Sequence, residues 1–76
     1  MTKKQVFELF KIIKCAYFKF YTKISDDDLK EFSEFVSDIF ENEDFEMIKK
    51  AVLLCSRELK EPPTIAHILQ KKRELC

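Results

Sequence analysis

Glycine is absent from this 76-residue chain, and with it the residue that most readily adopts the positive φ of hairpin turns, bulges and left-handed helix caps. A β fold would have to make those turns from Asn or Asp, so the expectation is an all-α chain, a small compact bundle of about four helices forming one domain over residues 1–76. Histidine occurs once, as His67, and no cysteines stand at Cys-x-x-Cys spacing; neither a metal site nor a cofactor is expected. No apolar run approaches the length of a membrane span, and Thr2-Lys3-Lys4-Gln5 opens the chain without the apolar core of a signal peptide. The chain therefore reads as a soluble, cytoplasmic protein with no membrane partner. Three cysteines cannot all pair with one another. Cys15 and Cys55 fall in apolar helical runs and are expected as buried, reduced thiols, while Cys76 reads as tail. A Cys–His enzyme would have His67 alone as its base, and no residue stands out as a nucleophile, so no catalytic residue is assigned.

What is present is a globular composition, 46% hydrophobic and 37% charged, patterned for helices. Thr2-x-x-Gln5 has the form of a capping box, and Val6, Leu9, Phe10, Ile13, Ala16 and Tyr17 follow at 3–4 spacing, predicting a first helix over about 2–18. Phe20, Tyr21, Thr22 and Ile24, β-branched or aromatic, predict an extended link. Ser25-Asp26-Asp27-Asp28 supplies a cap and carboxylates against the helix dipole, opening a second helix over about 26–41 whose core face is expected to be Leu29, Phe32, Phe35 or Val36, and Ile39 with Phe40. Asp44 can cap a third helix over about 44–60, where Phe45, Ile48, Val52, Cys55 and Leu59 recur at 3,4,3,4 spacing, with Ala51 alongside; this is the strongest periodic signal and the expected central strut. Pro62 and Pro63 lack the N–H a helix interior needs. Thr64 then caps a fourth helix over about 64–74, with Ile65, Ile68 and Leu69 as its docking edge.

Two surfaces are candidates for binding. On the second helix Asp27, Glu31, Glu34, Asp38 and Glu41 form an acidic line whose like charges oppose one another at about 0.2–0.5 kcal/mol per i,i+4 pair; a solvated face and a partner-binding face are both open readings. On the first helix Phe7, Lys11, Lys14 and Phe18, with Tyr21 beyond, form an aromatic and basic face, covered either by helix 4, by a second copy of the chain as a homodimer, or by a partner protein. Charge is segregated along the chain. Residues 1–24 carry six lysines and one glutamate, residues 25–47 ten carboxylates and Lys30, and residues 48–76 seven cations and three acids. An acidic middle of that strength argues against direct nucleic-acid binding.

Two stretches carry a family resemblance. Residues 2–17, from Thr2-Lys3-Lys4-Gln5-Val6-Phe7 to Lys14-Cys15-Ala16-Tyr17, and the later Pro62-Pro63-Thr64-Ile65-Ala66-His67-Ile68 resemble the phage replicative helicase loader/inhibitor family of Gram-positive hosts, typified by the N-terminal helical domain of a Bacillus phage helicase inhibitor. The resemblance spans most of the chain and is specific in its second motif. It implies a compact helical domain in the bacterial host cytoplasm, without catalytic activity, acting in helicase delivery or blockade. The partner it implies is the replicative helicase or its AAA+ loader. This chain departs in having Phe18-Lys19 where the family commonly has a proline after Ala-Tyr, and His67 where an acidic residue is usual. The type member's flexible C-terminal tail is implicated in gripping the helicase; no counterpart is found in these residues, and the folded surface is expected to make the contact. Two readings of other classes stay open: an acidic DNA mimic that inhibits a nucleic-acid-binding enzyme, and a DNA-binding accessory protein using Lys3, Lys4, Lys11, Lys14 and Lys71-Lys72-Arg73.

Overall fold

Four side chains set where the helices start. In the computed structural model, which describes residues 1–75, Thr2 Oγ1 accepts from the Gln5 N–H at 3.1 Å while Gln5 Oε1 accepts from the Thr2 N–H at 3.0 Å. Ser25 and Asp28 make the same reciprocal pair at 3.1 and 3.2 Å. The Asp44 carboxylate accepts from the Met47 N–H and Thr64 Oγ1 from the His67 N–H. Each bond satisfies one of the donors that a helix N-terminus leaves without a partner. The helices that follow are α1 (Lys3–Ala16), α2 (Asp26–Val36), α3 (Phe45–Glu58) and α4 (Ile65–Leu75), with a 3₁₀ turn at Phe18–Phe20. Among the described residues there is no strand, and the fold is the expected all-α bundle. Cys76 lies outside the described residues.

The missing glycine shows at the other ends. No described residue has positive φ, so no helix closes with a left-handed cap. Instead, α1 passes into the 3₁₀ turn, with Phe20 N–H bonded to Tyr17 O and Tyr21 N–H to Phe18 O, where an extended link had been expected. Likewise α2 stops at Val36, five residues short of the expectation, and continues as i→i−3 turns from Val36 to Glu43. Ser37 Oγ takes the Glu34 carbonyl at 3.0 Å, a local bond that competes with the next helical one. Leu59 closes α3 in an extended conformation, and Pro62 and Pro63 separate it from α4.

α1 and α3 form the centre together, which corrects the expectation of a single strut in helix 3. α2 lies against α1, α4 lies against α3, and the two outer helices do not approach each other. The bundle is consequently flat, 35 × 27 × 16 Å. Met1 and Tyr17 tie its two ends. The Met1 ammonium donates to the carbonyls of Phe40, Glu41 and Glu43 at 2.8–3.2 Å, and the buried Tyr17 hydroxyl shares its proton between the Leu59 and Cys55 carbonyls at 2.9 and 3.2 Å, satisfying the C-terminus of α3. The core is Val6, Leu9 and Ile13 of α1, Tyr17 just past its end, Phe40 from the turns, Ile48, Ala51 and Val52 of α3, and Ile68 of α4. Ile65 and Leu69 are half-buried at its margin, so the docking edge of helix 4 lies where expected, but Ile68 alone of the edge is buried and Ile65, expected to be buried with it, is not.

A flat bundle has little interior, and several expected core residues lie outside it. Ala16 is exposed, and Phe10 and Phe45 are half-buried. Cys15 is exposed and free, whereas Cys55 is buried and free; residue 15 stands about 200° round α1 from Ile13 at 100° per residue. The largest correction is in α2. Leu29, Ser33, Ser37 and Phe40 are buried, while Phe32, Phe35 and Ile39 are exposed by 50, 76 and 50%.

Candidate functional site

The outer surface of α2 is where acidic and apolar side chains meet. Ser33 of α2 and Ser37 just past its end are buried, and each hydroxyl donates to the carbonyl three residues earlier, Lys30 O at 2.7 Å and Glu34 O at 3.0 Å. No buried side-chain polar atom in the described residues lacks a partner. With the serines inside, Phe32 and Phe35 are turned outward.

All five residues of the expected acidic line are exposed, but they do not lie on one helix. Asp27, Glu31 and Glu34 are on α2, and Asp38 and Glu41 follow in the tight turns. A turn of three residues advances faster than a helical one, so the row bends after Val36. Glu31, Glu34 and Phe35 border one shallow depression. Glu34 also borders a groove of about 330 Å³ between α1 and α2, with Lys3, Lys4, Phe7, Lys30 and Ser33 as its other walls.

The residues expected as an aromatic and basic face are separated. Phe7 is half-buried in the α1–α2 groove, so α2, and not helix 4, covers that side of α1. Lys11 Nζ stands 5.4 Å from the centre of the Phe7 ring, within cation–π range. Lys14 is bonded to Asp26 at 3.5 Å. Phe18 lies in the 3₁₀ turn past the end of α1, 63% exposed, outside the α1–α2 groove that Phe7 borders. With the exposed Phe20 it borders a depression that includes Lys19 and Lys60. Tyr21 packs against the core, and burial, reinforced by Tyr17, raises its phenol above the ordinary range.

The α3–α4 seam gathers Cys55, Glu58, His67, Gln70, Lys71 and Glu74. Burial raises the Cys55 thiol above its usual range despite the opposing effect of Lys71, which keeps it a neutral, unreactive thiol at neutral pH. Lys71 Nζ bonds Glu58 at 2.7 Å and Glu74 at 3.3 Å, and these hydrogen bonds, Glu58 first, hold its ammonium above the ordinary value. The seam is an ion-paired joint. Among the described residues no group of three His, Cys, Asp or Glu side chains is placed to hold a metal ion, and no helix is long and apolar enough to cross a membrane.

Sequence reasoning missed Phe32, Phe35 and Ile39 as surface residues. The available signal was the pair Ser33 and Ser37, one helical turn apart on the side that also carries Leu29 and Phe40.

No protein of curated function and no solved structure matches the chain. The family model for the N-terminal domain of a phage helicase inhibitor matches residues 1–69, from the first capping box through the Pro62-Pro63-Thr64 entry into α4, and the chain belongs to this family.

Proposed function

We propose that this protein is a phage-type, non-enzymatic inhibitor or adaptor that binds the bacterial replicative helicase-loading machinery, the AAA+ loader or the helicase itself, and blocks or redirects loading by occupying a protein surface. The observation that carries the reading, beside family membership, is the outward acidic row Asp27, Glu31, Glu34, Asp38 and Glu41. Such a row costs the free protein repulsion and gives steering toward a cationic surface. Loaders and helicases both handle nucleotides or DNA and need cationic surfaces to do so. A DNA-binding role fits less well: of the cations it would use, Lys14, Lys71 and Lys72 are engaged by Asp26, by Glu58 and Glu74, and by Glu43. A nucleic-acid mimic would have no use for the large apolar side chains beside the acidic row.

The test is surface plasmon resonance against purified host loader and helicase at low and high salt. The wild-type association rate should fall as ionic strength rises, and Glu31→Lys with Glu34→Lys should slow association while leaving the thermal midpoint unchanged or slightly higher. An unchanged on-rate in the double reversal would leave the acidic row a solvated face.

A further inference from the structure

Going round α2 at 100° per residue, the inner side (buried Leu29 and Ser33, half-buried Val36) is followed by the apolar stripe of Phe32, Phe35 and, just past the helix, Ile39, and then by the row of Asp27, Glu31 and Glu34. The amphipathicity is inverted at its most telling positions. A helix that only had to fold would place Phe against α1 and Ser toward water, because burying a Phe side chain removes far more apolar area from solvent than burying a Ser methylene. Here Ser33 is 1% exposed and Phe35 76%.

We infer that α2 is a docking helix: Phe32, Phe35 and Ile39 enter an apolar groove on a different protein, and Glu31, Glu34 and Asp38 pair with a cationic rim around it. This rests on the reading above that the chain acts by binding, and adds which face binds and what chemistry it meets. The charge arrangement selects the occupant. A second copy seated on the same face through a two-fold axis would set the row of Glu31, Glu34 and Asp38 against itself, with Lys30 the single cation on α2 to oppose it. A partner with a cationic rim satisfies both the stripe and the row. The arrangement is that of an amphipathic helix laid in a groove and read through residues at i, i+3 and i+7.

The experiment compares Phe32→Ala/Phe35→Ala with Leu53→Ala, which truncates an exposed apolar side chain on α3. Affinity for purified loader and helicase is measured alongside the urea midpoint and the sedimentation of the free chain. The double variant should keep the wild-type midpoint and sediment as wild type, yet lose about 30-fold or more in affinity, the loss expected when an interface anchor of about 2 kcal/mol is truncated; Leu53→Ala should bind as wild type. Unchanged affinity in the double variant overturns the inference, and so does a free wild-type dimer that the double variant dissociates, since the occupant is then a second copy. Wild type that binds neither purified protein defeats the helicase-loading reading, and the face is then judged on a benzyl-ammonium resin, an apolar and cationic probe. Wild type eluting later than both the double variant and Glu31→Lys/Glu34→Lys supports the inferred chemistry; co-elution overturns it.

Discussion

α2 and α4 are both eleven-residue helices flanking the central pair, yet they use their apolar residues in opposite ways. α4 sends Ile68 into the core, rests Ile65 and Leu69 on its edge, and fastens itself by Lys71 to Glu58 and by Lys72 to Glu43, at 2.7 and 3.1 Å. α2 buries Leu29 and Ser33, with Ser37 buried just past its end, and leaves Phe32 and Phe35 exposed. The contrast separates residues that serve the fold from residues that are available to something else. In a bundle 16 Å thick an outer helix has one neighbour to pack on, and α2 does not use its largest side chains there.

The comparison can be broken most severely at Ile68. Ile68→Ala should cost about 2–5 kcal/mol, as for other buried aliphatic truncations, and an unchanged denaturation midpoint would mean that α4 is not docked as described. Thr64→Ala removes the acceptor for the His67 N–H and should cost about 0.5–2 kcal/mol in the same assay. Tyr17→Phe, which leaves the ring and removes the bonds to Leu59 O and Cys55 O, should cost about 0.5–1.5 kcal/mol by urea denaturation. At the far end of the scale, Phe35→Ala should change stability by no more than about 0.5 kcal/mol, the range for surface positions. A loss there as large as that of Ile68→Ala would place Phe35 in the core and erase the distinction between the two helices.

The helix starts were legible in the sequence because a cap is a local arrangement: Thr2, Ser25, Asp44 and Thr64 each act on an N–H within three residues, and each is found at the bond expected of it. Helix ends were less so. The chain has no glycine to announce a stop, and it leaves α1 through a 3₁₀ turn and α2 through a run of i→i−3 turns, both of which share their hydrophobic pattern with the helix before them. The inner face of α2 was the main misreading. Leu29 and Val36 belong to two stripes, one completed by Phe32 and Ile39 and the other by Ser33 and Phe40, and counting apolar residues favours the first. Packing against α1 selects the second, and that choice is tertiary. Of the binding surfaces, the exposure of the acidic residues was readable from their helical spacing, their division between α2 and the turns after it was not, and the separation of Phe7, Lys14, Phe18 and Tyr21 depended on where α2 and the 3₁₀ turn lie.

The central claim, that the outer face of α2 is kept free of the fold for a partner, is met most directly by hydrogen–deuterium exchange of the chain alone and with saturating loader or helicase, whichever binds. The account predicts that protection rises over Asp26–Ile39 and stays unchanged over α4. New protection confined to α4 and the α3–α4 seam, with α2 exchanging as in the free protein, would contradict it.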